Sequence, residues 1–214
     1  MESGFPDLKS ASGYILGNQI MKKAINEIRL IYRPLSIDYW NDFEKLFGEK
    51  GACGGCWCMW WRLKRSQFEK QKGEKNRKAM YNIVKSGEIP GILTYTGNKP
   101  IGWCSVAPRE KFPSLERSRI LARVDHKPVW SVVCFYIHKS YRDKGISLQL
   151  LTAATEYVKK EGGTIIEGYP ITPKEEKMPK VFAWTGFYNT FVKAGFQEVI
   201  RRSDTRPIMR LQVR

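Results

Sequence analysis

The run Arg142-Asp143-Lys144-Gly145-Ile146-Ser147 has the residue types and spacing best suited to holding an anion in this 214-residue chain. It follows a nearly continuous apolar stretch, Val129 to Ile137, and leads into a helix-forming stretch from about Leu148 to Glu161. A glycine-bearing turn between a strand and a helix gathers backbone N–H groups that have no intrahelical partner, and the helix dipole adds partial positive charge to them. A diphosphate can be held there mainly by backbone, with Arg142 and Lys144 adding side-chain charge. The pattern RxxGxS is short and arises by chance in basic proteins, where it is a solvated helix start; its position between strand and helix gives it weight.

A second unusual run is GACGGCWCMWW, Gly51 to Trp61, which places Cys53, Cys56 and Cys58 beside three tryptophans. A structural zinc takes four ligands, so Cys104, Cys134 or a histidine would have to complete the three local thiols. Paired CxxC knuckles are absent, and the sequence is read without a metal; redox-active thiols and plain packing of small thiols under a loop are the other readings. The two histidines, His126 and His138, stand at no recognisable spacing from a nucleophile.

These residues need elements to position them. Ile20, Met21, Ala24, Ile25 and Ile28 repeat at helical spacing ahead of a strand from Arg29 to Leu35. Ser36 can cap a helix whose apolar face is Ile37, Trp40, Phe43 and Phe47. Ser66 and Glu69 have capping-box spacing and predict a helix that runs to Gly87. Gly91 to Thr96 and Pro100 to Val106 form a hairpin through Gly97-Asn98-Lys99. Ser114 to Val124 reads as a short basic helix or ordered loop. The buried strand Val129 to Ile137, the turn, its helix and a strand Thr164 to Tyr169 make a βαβ unit with parallel strands. Pro170 to Pro179 is a polar loop able to cover a site, and a helix near Phe187 to Ala194 precedes two short strands, Phe196 to Arg201 and Pro207 to Val213.

Composition bounds the function. Hydrophobic residues at 42% and charged residues at 27% describe a globular chain with a real core rather than a disordered one. No apolar run is long enough to span a membrane, and MESGFPDLKS lacks the order of a secretory signal, so a cytoplasmic protein with reduced thiols is expected from five cysteines. The net charge of +16 suits an anionic partner without saying which. The basic residues are spread from Lys22 to Arg214 and match no nucleic-acid reading motif, so nucleic acid is not the expected partner.

Val133-Cys134-Phe135-Tyr136-Ile137 followed by Tyr141 to Ser147 resembles the coenzyme-A-binding motif of the GNAT superfamily of N-acetyltransferases, and the element order from Arg29 to Val213 resembles that superfamily's layout. Ser147 departs from the usual Gly or Ala at the motif's last position, and its small size and hydroxyl suit the place. The resemblance implies an α/β fold: a mixed sheet of about seven strands, helices on both faces and a splayed parallel pair. It divides the chain into an N-terminal extension, residues 1–28, and an acetyltransferase domain, residues 29–214, of a subgroup with a Cys/Trp-rich loop.

The implied activity is direct transfer of acetyl from acetyl-CoA to a primary amine of a small molecule or peptide; the alternative is a non-catalytic coenzyme-A-binding or nucleic-acid-binding protein with this fold. The implied cofactor contacts are Phe135, Tyr136, Ile137, Arg142, Asp143, Lys144, Gly145, Ile146 and Ser147, with the pantetheine along Phe135 and Ile137 and the oxyanion at the N–H of Phe135 or Tyr136. Glu167, late in the parallel strand and close to the expected opening, reads either as the base or as an exposed or salt-bridged strand residue. The family's usual acidic Tyr falls at Phe191 here; Tyr188, one turn earlier, is the substitute in reach, and solvent is the other source of the proton. Trp57, Trp60, Trp61 and Trp103 are expected on the acceptor side, and a homodimer is left open.

Overall fold

The structure is a computed structural model that describes residues 29–173 and 183–213. The expected N-terminal helix and most of the covering loop after Pro173 lie outside the described residues. Seven strands form one mixed sheet in the order β1-β2-β3-β4-β5-β7-β6: β1 is Leu30–Pro34, β2 Gly91–Thr96, β3 Lys99–Pro108, β4 Trp130–Ile137, β5 Ile165–Gly168, β6 Gln197–Arg201 and β7 Pro207–Gln212. The pair β4–β5 is parallel and every other pair is antiparallel. The helices are α1 Trp40–Phe47, α2 Arg65–Gln71, α3 Glu74–Lys85, α4 Pro113–Glu116, α5 Ile146–Lys160 and α6 Tyr188–Lys193.

Strand alternation sends successive side chains to opposite faces, and each face has its own core. Ile92, Ile101, Cys104, Val132 and Phe135 pack under α5 with Leu150, Leu151 and Ala154. Leu93, Tyr95 and Trp103 pack on the other face with Phe43, Phe47, Met80 and Val84. Among the described residues no helix is long and apolar enough to cross a membrane.

Two local expectations change. Ile37 is exposed and precedes α1, whose buried face is Trp40, Phe43, Leu46 and Phe47. The helix expected from Ser66 to Gly87 is two helices, with Ser66 inside the first turn rather than capping it. The break is at Gly73, with φ of 83°, whose N–H donates to Gly55 O at 3.0 Å; a Cβ on Gly55 would lie 2.3 Å from Gly73 N. Asn76 Nδ2 donates to the same carbonyl at 3.0 Å, so docking of the cysteine loop sets the break.

The sheet also opens as a wedge. β4 and β5 pair at Trp130–Ile166, Ser131–Glu167 and Val132–Gly168, after which β4 runs on alone to Ile137. Opposite β3 the register shifts between Ser105–Cys134 and Val106–Val132, leaving Val133 as an extra residue. A bulge bends its strand and increases the twist, which separates β4 from β5 where their pairing stops.

Candidate functional site

Two features meet beside the wedge. The first is the turn. Gly145 has φ of 71° and Asp143, though not glycine, has φ of 61°. An added Cβ at Gly145 meets nothing within 4 Å, so glycine is favoured there by backbone conformation rather than by crowding. From Lys144 onward, Leu148 is the first residue whose N–H reaches back, to Gly145 O at 3.1 Å. Among the described residues no backbone carbonyl accepts from the N–H groups of Lys144, Gly145, Ile146 or Ser147, which leaves four donors at the start of a 15-residue helix.

Side chains add charge around this start. The Lys144 and Lys99 ammonium groups lie 5.4 and 5.7 Å from the Tyr141 ring centre. Arg142 is exposed and its Nε donates to Ile137 O at 3.0 Å, which ties the turn to the end of β4. Ile146 instead points into the core, so its contribution to a ligand would be its N–H.

The second feature is the free edge of β4. The ladder with β3 makes His138 N–H donate to Ile101 O, so by alternation Val133, Phe135 and Ile137 turn their backbone groups toward the wedge and Tyr136 turns its toward Trp103. Of the two N–H groups expected to face an oxyanion, the Phe135 one therefore faces the opening. It donates to Trp184 O at 2.6 Å, while Trp61 Nε1 donates to Val133 O at 3.1 Å. Trp184 sits between Trp60 and Trp61, with ring centres 6.1 and 5.7 Å away.

The segment Ala183 to Tyr188 thus fills the wedge from within. Its other side is fixed to the continuation of β5, with Ile171 N donating to Gly186 O at 2.9 Å and Tyr188 N to Ile171 O at 3.0 Å. Beneath it lies the fully buried Phe191 ring, which meets Phe135 at 6.2 Å; Cβ atoms on Gly168 and Gly186 would come within 2.1 and 2.8 Å of the ring. Sequence reasoning missed this filler, because Trp184-Thr185-Gly186 matches no site pattern and its partners are remote in sequence.

The remaining expected residues lie elsewhere. Glu167 is fully buried: Oε1 accepts from Arg109 Nη1 at 2.8 Å and Tyr169 OH at 2.7 Å, and Oε2 accepts from Arg210 Nε at 2.7 Å. Arg210 also forks onto Asp125 at 2.7 and 3.1 Å. Burial and the neighbouring Glu167 carboxylate push the Tyr169 phenol well above its ordinary range. Tyr188 faces β6, its ring 5.5 Å from the guanidinium of Arg201, which is itself paired with Glu198.

Trp57 and Trp103, expected toward an acceptor, are core residues. Trp57 has φ of 44°, which turns its ring inward to stack on Phe47 at 5.8 Å, and Trp103 is fully buried against Phe43. Trp57 also borders a surface hollow of about 460 Å³ with Glu44, Gly48, Glu49, Glu74 and Arg77, none of which belongs to the turn or the wedge. Among the described residues no group of three or more His, Cys, Asp or Glu side chains is placed to hold a metal, so Cys53, Cys56 and Cys58 do not form such a set.

Known structures share this frame. The fold is similar to that of the PaiA N-acetyltransferase from Thermoplasma acidophilum solved in complex with coenzyme A, at 16% identity over 86% of this chain and 99% of that one, with a TM-score of 0.50. It is also similar to a GNAT-family acetyltransferase from Listeria monocytogenes, at 11% identity over 86% and 94% of the two chains and a TM-score of 0.53. A chain of the NatC complex bound to Gag peptide and coenzyme A gives 12% identity, 87% and 99% coverage and a TM-score of 0.50. At these identities the likeness is one of fold, and no curated protein sequence matches the chain. The sequence itself matches the acetyltransferase (GNAT) family profile over residues 57–182, which takes in β2 to β5, the turn and the wedge-bearing strand. With the match spanning more than half of the chain, and the splayed sheet and orphaned turn in the same stretch, the protein belongs to the GNAT acetyltransferase family.

Proposed function

We propose that the chain is an acetyl-CoA-dependent N-acetyltransferase that moves acetyl directly to a primary amine of a small molecule or peptide. The observation that carries this is the pairing of two backbone-built features: four orphaned N–H groups at the start of α5, and the Phe135 N–H directed into the wedge. The coenzyme A and peptide in the PaiA and NatC structures support the choice of cofactor and leave both acceptor classes in view.

In this reading the turn holds the diphosphate through the N–H groups of Lys144 to Ser147 and the charges of Arg142 and Lys144. The pantetheine adds along Phe135 and Ile137 as an extra strand. The thioester carbonyl takes the Phe135 N–H now bonded to Trp184 O, so that this donor faces the oxyanion that forms on attack by the amine. Trp60, Trp61 and Trp184 line the approach of the amine.

Glu167, with both oxygens engaged and no exposure, acts by holding β5 to β7 and to the end of β3, and water takes the proton of the amine. Phe191 has no proton to give, and Tyr188 is held on the β6 side, so the departing thiolate draws its proton from solvent. Replacing Tyr188 by Phe then leaves the rate within about twofold, whereas a Tyr188 acid would cost on the order of a hundredfold.

The deciding experiment is release of free thiol from acetyl-CoA across a panel of polyamines, aminoglycosides, amino acids and peptides. Release above the hydrolysis background with one class supports the enzyme and names its acceptor. Saturable binding of acetyl-CoA with no release from any amine would favour the non-catalytic coenzyme-A-binding reading, which the filled wedge keeps in play.

A further inference from the structure

The thiols of the loop that the acyl-transfer reading leaves unused come together with a thiol from the sheet. Cys58 is nearly buried and belongs to the core on the α1 face of the sheet, and Cys134, half-buried on β4, packs against the same cluster. Cys134 stands across the β3–β4 ladder from Ser105, on the face that carries Trp103 and Cys58 and 76 positions from Cys58 in sequence, with its S–H directed at Phe135 O at 3.8 Å. Trp103 Nε1, from a fully buried ring, donates to Cys58 Sγ at 3.2 Å; an indole N–H can only donate, so the sulfur is its acceptor.

Two more features single out Cys58. Arg62 is buried and gives Nη1 to Glu88 at 2.7 Å; among the described residues its Nε and Nη2 have no hydrogen-bond partner, and its charge acts on Cys58. Trp57 and Cys58 are consecutive non-glycine residues with left-handed φ of 44° and 57°, a conformation kept where surroundings over-determine it and common at reactive sites.

We propose that Cys58 and Cys134 are a hydroperoxide-reactive thiol pair that closes reversibly into a disulfide. The Cys58 thiolate attacks a peroxide oxygen: an S–O bond forms, the O–O bond breaks, and the departing hydroxide or alkoxide takes a proton to leave as water or alcohol. Cys58 becomes a sulfenic acid, oxidised by two electrons, and the peroxide is reduced by the same two. The Cys134 sulfur then attacks the Cys58 sulfur, the S–S bond forms, and hydroxide leaves with the Cys134 proton as water. Arg62 supplies unpaired N–H groups to a buried oxyanion, and Trp103 N–H holds the sulfur.

The roles divide as this chemistry needs. The neighbouring Cys134 thiol, with smaller help from Trp103 and the Arg62 charge, brings the Cys58 thiol down to about 7 against the cost of burial. The neighbouring Cys58 and burial hold Cys134 well above the ordinary thiol range, and burial with the adjacent Cys58 pushes Cys56 up to about 11. Exposed Cys53 is the internal control. The disulfide would tie the loop carrying Trp61 to the strand whose Val133 carbonyl Trp61 already holds.

The test uses the full, reduced chain and stoichiometric hydrogen peroxide at neutral pH, followed by digestion without reductant and mass analysis. The expected result is a Cys58–Cys134 linked peptide lacking two hydrogens, formed about tenfold faster than Cys53 is consumed and reversed by a dithiol. In Cys134→Ser the Cys58 peptide instead gains one oxygen and keeps it. Oxygen added first at Cys53, a disulfide between other cysteines, or unreacted Cys58 in the wild-type chain would overturn the proposal. The wild-type arm decides the matter even if the variant does not fold.

Discussion

The turn from Arg142 to Ser147 and the loop from Cys53 to Trp61 both bend the backbone into left-handed conformations at non-glycine residues, yet they use the bend in opposite ways. At Asp143 and Gly145 it turns N–H groups outward, while the side chains of Arg142 and Asp143 are exposed rather than core. At Trp57 and Cys58 it drives side chains inward, onto Phe47 and under Trp103. A site made of backbone survives changes in its side chains but not in its φ angles; one made of buried side chains is inseparable from the core.

That contrast can be broken most forcefully on the loop side. Trp103→Ala should lower unfolding free energy by about 3–5 kcal/mol in denaturant titrations, since it removes a fully buried ring and the donor to Cys58. A loss of amine turnover with unchanged stability would instead make Trp103 an acceptor residue. Glu167→Gln should cost a similar 3–5 kcal/mol, because it uncouples Arg109 and Arg210 from a buried carboxylate. If stability held and the pH–rate profile flattened, Glu167 would be the base after all.

On the turn side, Arg142→Ala combined with Gly145→Glu should weaken acetyl-CoA binding by roughly a hundredfold in calorimetry, because it puts a carboxylate at the diphosphate and a side chain at a left-handed φ. Thermal unfolding should shift far less than for Trp103→Ala, as the added Cβ meets no neighbour. Unchanged binding would remove the central support of the proposed function. The smallest effect belongs to Trp61→Phe, which keeps the ring and loses the N–H to Val133 O: about 1 kcal/mol in stability, with acetyl-CoA affinity preserved.

The same contrast explains what could be read in advance. Strand, turn and helix around Gly145 are local patterns, so the seven-strand sheet with its parallel pair and the glycine-bearing turn between strand and helix were legible. The inward turn of Trp57 was not, because a tryptophan in a glycine-rich run gives no sign of a left-handed φ. The break at Gly73 depends on Gly55 docking from the preceding loop, and helix periodicity from Ser66 to Gly87 could not contain it. Glu167 has the residue type of a base, and its burial follows from Arg109 and Arg210, which lie 58 and 43 positions away. Likewise the filling of the wedge depends on Trp184, a residue whose sequence neighbours carry no signal.

The narrow junction between β4 and β5 has a mechanical consequence. Three ladder pairs join the two halves of one sheet along the line through Trp130 to Val132, like the spine of a book. Glu167 sits on that line opposite Ser131, and its bonds to Arg109 and Arg210 reach into both covers. The buried charges then act as the binding thread, holding the two covers in register along the spine.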